Sequence, residues 1–237
     1  SRDMILAAFQ VAQETNSLFH MHVAEARYEV EAIQKETGLT PLFYLDRLGI
    51  VSNKMVVVHG VWLSDEEIAL MASRSVKLSY NPSSNMFLGD GVTPIKKMLD
   101  QGIMIALGTD GACSNNKTSV FEEMRMAALL QKVHSLDSSV ISAEQAFQMG
   151  TENGGKVLGL PIGKLETGYR ADFVTVNLDN LEFYPLQNLH KNIVYSFSPT
   201  TLDEVYVRGK KIFSKGKLLT VSEEEIIERV HKLTKHW

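Results

Sequence analysis

The sequence predicts an α/β fold: half of an eight-stranded parallel barrel, followed by a small β unit. Three observations predict it. Helix-like and strand-like segments alternate from residue 3 to about residue 134. The strand-like runs are apolar almost throughout, as in Met55-Val56-Val57-Val58, which suits a sheet covered on both faces. Several runs end in polar residues, at the C-terminal strand ends where a parallel barrel places its chemistry.

Asp3 to Glu14 reads as a helix, with Ile5, Leu6, Phe9 and Ala12 at helical spacing. Ser17 to Val23 is a short strand. Glu25 to Glu36 is a helix ended by Gly38. Pro41 opens a further helix, Leu42 to Leu48. Met55 to Val58 is a buried strand, and Ser64-Asp65-Glu66-Glu67 is a capping box that starts a helix through Ala72. Val76 to Tyr80 is the next strand, followed by a loop from Asn81 to Gly91. Pro94 opens a helix to Gln101, and Ile103 to Leu107 is the last strand of the alternation. A polar loop, Gly108 to Lys117, leads to a second capping box, Ser119-x-x-Glu122, and a helix to about Val133. Strands alternating with helices imply right-handed βαβ units and a parallel sheet.

The character changes after about residue 160. Asp172 to Asn177, Val205 to Val207 and Lys211 to Phe213 are short β segments, with Arg208-Gly209-Lys210-Lys211 as a hairpin turn. A charged helix, capped by Ser222-x-x-Glu225, runs to about His236. Three regions follow: 1–160 as the half-barrel, 161–221 as part of a β-sandwich, and 222–237 as the closing helix.

With 44% hydrophobic and 22% charged residues among 237, the chain has the balance of a globular domain with a substantial core. The net charge of −4 gives no general attraction to nucleic acid or an anionic membrane, and neither partner is expected. No apolar run approaches the ~18 residues of a membrane span. The single cysteine, Cys113, excludes an intrachain disulfide and suits a reducing compartment, so the cytoplasm is the expected location.

Three strand ends carry the candidate chemistry. His22 ends one strand and Glu25 stands three residues on. A metal lowers the pKa of bound water, and a carboxylate beside it shuttles the proton. The structural alternative is a core histidine followed by a glutamate that the helix dipole favours. His20 is expected on the other side of the strand from His22, in a structural role. His59 ends an apolar strand before Gly60. It reads as a metal ligand, as a donor to a substrate heteroatom, or as a rim histidine bonded to backbone. Asp110, in Gly108-Thr109-Asp110-Gly111, suits a divalent metal and a proton from its water, or a plain Asp-Gly turn. Asn81, Ser83, Ser84 and Asn85 follow one strand, and Ser114, Asn115 and Asn116 the next. Either set suits a polar heterocycle or the satisfaction of loop backbone. Cys113 reads as a bystander.

Together these motifs resemble the amidohydrolase superfamily, in its 5-methylthioadenosine/S-adenosylhomocysteine deaminase and chlorohydrolase-like branch. The resemblance rests on His22-Val23-Ala24-Glu25, Val58-His59-Gly60-Val61-Trp62-Leu63-Ser64, Asn81-Pro82-Ser83-Ser84-Asn85 and the run Gly108 to Asn116. Phe121-Glu122-Glu123-Met124-Arg125 follows in register, and Gly163 to Phe173 looks like the return to a β-sandwich. The resemblance implies strands 5–8 of a TIM-type metal-dependent hydrolase barrel. It implies one divalent metal, usually zinc, with iron or another divalent ion as alternatives. His22 and Asp110 would be ligands, Glu25 the proton shuttle, and His59 the group that polarises water or holds substrate. The substrate-binding set would be Glu25, His59, Asn81 and Ser114. The implied reaction is hydrolytic deamination of an adenine nucleoside. Guanine or chlorotriazine hydrolysis is a second reading, and a non-catalytic scaffold with the same fold a third. The family's His-x-His strand is absent, because His20-Met21-His22 aligns with the fifth strand. The chain is therefore expected to be part of a longer, homo-oligomeric parent and to be inactive alone. Its open half-barrel would expose two sheet edges.

Overall fold

The computed structural model describes residues 1–235. The chain divides into two compact units, Ser1–Leu160 and Pro161–Trp237. The first begins with α1 (Arg2–Glu14), β1 (Phe19–Val23), α2 (Arg27–Thr37), α3 (Pro41–Arg47), β2 (Met55–His59), α4 (Asp65–Ser73) and β3 (Lys77–Tyr80). It continues through α5 (Pro82–Leu88), α6 (Ile95–Asp100), β4 (Ile105–Leu107), α7 (Ala112–Asn115), α8 (Val120–Ser135), α9 (Ala143–Gly150) and α10 (Glu152–Leu158).

The four strands of this unit form one sheet in the order β1-β2-β3-β4, and every pair is parallel. Sequential parallel pairing is the pattern of a barrel wall, and it brings all C-terminal strand ends to one edge. Register does the rest: His22 lies beside Val58, Val23 beside His59, and Tyr80 beside Leu107. All five residues of β2 are buried, as the unbroken apolar run requires. Leu78, Ile68, Met71, Ile95, Met98 and Ile105 fill the core around it. The half-buried face of α1 carries Ile5, Leu6, Phe9 and Ala12, as their spacing predicts. Phe9 meets Phe19 edge-on, with ring centroids 5.5 Å apart.

Several local expectations are corrected. The loop expected over Asn81 to Gly91 contains α5, because Pro82 sits at the first helical position and Gly89 closes the helix in the left-handed conformation. The polar loop after Gly108 contains α7, ended by Asn116 at φ 61°. The Ser64 box is complete, with both side chain to backbone bonds formed. Ser119 and Ser222 cap their helices, but as half-boxes: Glu122 turns instead to Lys117, and Ser222 Oγ donates to Glu224. A complete box at Ser142 opens α9.

The second unit contains β5 (Phe173–Val176), α11 (Leu189–Ser196), β6 (Leu202–Val207), β7 (Lys210–Ser214), β8 (Lys217–Leu218) and α12 (Glu223–Thr234). Its strands make one antiparallel sheet in sequence order. The expected sandwich is thus represented by a single sheet among the described residues. Arg208 and Gly209 form the two-residue turn between β6 and β7, with φ values of 51° and 74°. Both positive values match the right-handed twist of a hairpin. The expected end of the last helix, at His236, lies outside the described residues. Among the described residues no helix is long and apolar enough to cross a membrane.

Candidate metal centre at the strand exits

Each site strand leaves the sheet through a non-glycine residue in the left-handed region: Ala24 at φ 52°, His59 at φ 69° and Asp110 at φ 59°. Such backbone costs about 1–3 kcal/mol and persists only where its surroundings hold it. At Ala24 the holder is Glu29, whose two carboxylate oxygens accept the N–H groups of Ala24 (3.0 Å) and Glu25 (2.9 Å). At His59 it is neighbouring segments: Gly60 N–H donates to Val23 O, and Thr93 Oγ1 donates to His59 O at 2.9 Å. At Asp110 it is the carboxylate itself, whose Oδ1 accepts the Gly111 N–H at 2.7 Å.

These exits bring His22, Glu25 and His59 together, with one ligand atom from each lying within 4.8 Å of the others. The His22 and His59 rings lie 5.0 Å apart. His59 Nε2 stands 3.3 Å from Glu25 Oε1 and 4.0 Å from Asp110 Oδ2. His59 is fully buried, and its Nε2 has no hydrogen-bond partner. An unpaired buried nitrogen is costly, so its place in a ring of acidic and imidazole groups marks a spot for something else.

The other ring nitrogen sets the tautomer. Asn85 Nδ2 lies 2.9 Å from His59 Nδ1 and 3.5 Å from Asp90 Oδ2. Both contacts suit the amino end of the amide. Nδ1 then accepts, and Nε2 carries the hydrogen. In that state His59 is a donor into the site, which suits a water or substrate oxygen better than a metal.

The charges differ along the ring. Burial raises the Glu25 pKa above the usual carboxylate value, and Asp90 adds to the rise. Burial lowers His59, and His22 lowers it further. Burial pushes Asp110 upward, but hydrogen bonds from Ser84, the Gly111 N–H and Ser114, with the His59 ring, outweigh it and leave a lowered pKa. Ser84 Oγ and Ser114 Oγ donate to Asp110 Oδ2 at 2.6 and 2.9 Å. The site therefore holds one carboxylate that keeps its proton more readily than usual and one that keeps its charge.

A divalent ion fits beside this cluster: His22 supplies an imidazole, Glu25 and Asp110 supply carboxylates 3.3 and 4.0 Å from His59 Nε2, and that orphaned nitrogen is left as a donor next to them.

Asn81 and Ser114, expected as substrate contacts, make hydrogen bonds within the chain. Asn81 is 3% exposed. In its satisfied orientation its amide donates to Tyr80 O, Gly108 O and Ser79 Oγ, tying β3 to β4. Gly108 permits that tie, because a Cβ there would stand 2.5 Å from the end of the Asn81 amide. Ser114 is turned onto Asp110. His20 is two residues from His22, so the pleat puts both on one face, not on opposite sides as expected. It sits one step lower, outside the cluster. The reading missed Glu29, Asp90 and the particular tasks of Ser84 and Asn85. Only the Asn-Pro-Ser-Ser-Asn run signalled the last two.

The Amidohydrolase family model matches residues 1–212. A 5-methylthioadenosine/S-adenosylhomocysteine deaminase of Pyrococcus furiosus is 40% identical over 222 residues, covering 94% of this chain and 53% of that protein. A 5'-deoxyadenosine deaminase of Methanocaldococcus jannaschii is 36% identical over 234 residues, covering 98% and 56%. The chain spans about half the length of the curated relatives it matches. An adenosine deaminase structure from Xanthomonas campestris with bound zinc superposes with a TM-score of 0.92 at 30% identity, over 95% of this chain and 52% of that one. An atrazine chlorohydrolase structure from Arthrobacter aurescens, complexed with zinc, reaches the same TM-score at 24% identity, over 98% and 52%, which shows the shared fold. The match over nearly the whole chain, with the strand-exit geometry, places this chain in the amidohydrolase family.

Proposed function

We propose that this chain carries the acid–base half of a metal-dependent aminohydrolase, acting on a 5′-modified adenine nucleoside such as 5-methylthioadenosine or S-adenosylhomocysteine. The products are the inosine derivative and ammonia. The observation that carries the reading is the buried, unpaired Nε2 of His59 between Glu25 and Asp110. The names of the relatives support the substrate class.

His22 and Asp110 would hold the metal, with zinc the ion that the solved relatives contain. A divalent ion there would supply an acidified water, its pKa lowered far below that of bulk water. The residues of this chain do the remaining work. Glu25, with its raised pKa, would carry the first proton from the water to the ring nitrogen beside the reacting carbon. Asp110, held charged by its three donors, would accept the second proton from the added hydroxyl and pass it to the leaving amine. His59 donates from Nε2 to the oxygen that adds to the ring. The closed surroundings of His59 keep that donation undiluted by solvent.

The test is ammonia release by the zinc-loaded full-length protein. The panel is 5-methylthioadenosine, S-adenosylhomocysteine, 5'-deoxyadenosine, adenosine and guanine, with chloride release from a chlorotriazine in parallel. Ammonia from the 5′-modified adenosines is expected. Activity confined to guanine or chlorotriazine, or none at all, overturns the reading.

A further inference from the structure

We propose that Glu123 is a positioning residue for Asp110, acting through the two loops whose serines hold that carboxylate. The inference rests on the aminohydrolase reading, but its geometry is independent of substrate. Glu123 stands in the first turn of α8 and is 1% exposed. Its Oε2 accepts the Ser83 N–H at 3.1 Å, and its Oε1 accepts from Asn115 Nδ2 at 2.9 Å. The same Asn115 nitrogen donates to Thr109 O at 2.7 Å.

Each arm ends beside an Asp110 partner. Ser83 precedes Ser84 at the start of α5, and Asn115 follows Ser114 at the end of α7. Ser84 and Ser114 converge on Asp110 Oδ2 from the two loops. One buried carboxylate thus spans the loops after β3 and β4 and sets both hydroxyls against the third group. The chemistry demands a carboxylate. Both facing groups are N–H donors, and only an ionised acid accepts at both ends. Glutamine has the same shape but would turn an N–H donor onto one of them.

Burial alone has a simpler explanation, in which Glu123 only stabilises the unit. The molecule supplies a matched control. Glu67 is also fully buried, and it accepts from Thr40 Oγ1 (2.6 Å), Leu42 N–H (2.9 Å) and Ser64 N–H (3.0 Å). It joins the starts of α3 and α4 and touches none of the Asp110 loops.

The experiment compares Glu123→Gln, Glu67→Gln, the double variant Ser84→Ala/Ser114→Ala and the combination of Glu123→Gln with that pair in the full-length protein. Three quantities are read: melting temperature, zinc affinity by chelator competition, and amide hydrogen exchange at residues 83–88 and 111–116. Both glutamine variants are expected to melt lower. Only Glu123→Gln is expected to speed exchange in those two loops, and to weaken zinc binding about tenfold, the usual scale for a group that orients a ligand. Its zinc effect should not add to that of the serine pair, since both act through one carboxylate. If Glu123→Gln fails to fold, Asn115→Ala cuts one arm and should speed exchange in residues 111–116. Loop exchange and zinc affinity equal to those of Glu67→Gln, or zinc effects that add, would overturn the proposal. A wild-type protein that binds no zinc would instead sink the aminohydrolase reading, while loop exchange would still decide whether Glu123 holds the loops.

Discussion

The two units use the same backbone anomaly for different ends. In the first, Ala24, His59 and Asp110 take positive φ where strands exit the sheet. In the second, Arg208 and Lys215 take it in turns beside hairpin strands. The turn residues are exposed. The second unit also pairs its ionisable groups: Lys211 binds Glu204, and Tyr206 OH donates to Glu204 at 2.6 Å. The exits in the first unit surround a buried imidazole nitrogen with no partner. A positive φ alone therefore does not mark a site. The mark is a held exit combined with polar groups left unmatched.

The contrast is broken most severely at Glu25. Glu25→Gln in the zinc-loaded full-length protein is expected to lower turnover by about two to four orders of magnitude while zinc content is kept. The equivalent change in the second unit, Glu204→Gln, should leave turnover near normal. Steady-state ammonia release checks both, and near-normal rates for Glu25→Gln would remove Glu25 from the mechanism.

The cores differ next. Leu78 is 0% exposed in the parallel sheet, and Val174 is 42% exposed in the antiparallel one. Leu78→Ala is expected to cost about 2–5 kcal/mol of the first unit's stability. Val174→Ala should stay within about 0.5 kcal/mol. Urea unfolding, followed by probes placed in each unit, measures the two.

Caps give a smaller step. Ser64→Ala removes a complete box and is expected to cost about 1 kcal/mol. Ser222→Ala removes a half-box from α12, a helix with no buried residue, and should cost less. Thermal melts of the two variants decide it.

The smallest effect is the pH dependence of the metal-free protein. His59 has its folded pKa below the ordinary 6.5. The unfolded state therefore binds more protons at that residue, and stability falls as pH drops through about 6.5 toward the folded value. Glu25 acts oppositely: its folded pKa lies above 4.5, so its contribution grows as pH falls through the range between the two. A flatter urea midpoint for His59→Asn between about pH 7 and 5 is expected. An unchanged slope would contradict the burial argument.

The sheet was legible because its signal is local. Four consecutive apolar residues in β2 between polar breaks leave little choice, and Gly38 and Ser64 punctuate the helices around it. The strand exits were legible for the same reason, since His59 and Asp110 each stand at the end of an apolar run. α5 was not, because Asn-Pro-Ser-Ser-Asn is turn chemistry until the chain around it supplies partners. Glu29 and Glu123 were invisible for a different cause. A glutamate near a helix start reads as dipole complement, and nothing local says that its carboxylate reaches another segment's backbone. His20 shares the face of His22 because residues two apart in a strand point the same way.

The central claim is that three strand exits converge on one metal. Zinc-edge anomalous diffraction from crystals of the zinc-loaded full-length protein tests it directly. One peak is expected within bonding distance of His22 and Asp110, with Glu25 and His59 around it and His59 Nδ1 still against Asn85. A peak elsewhere, or one that excludes both His22 and Asp110, would contradict the account.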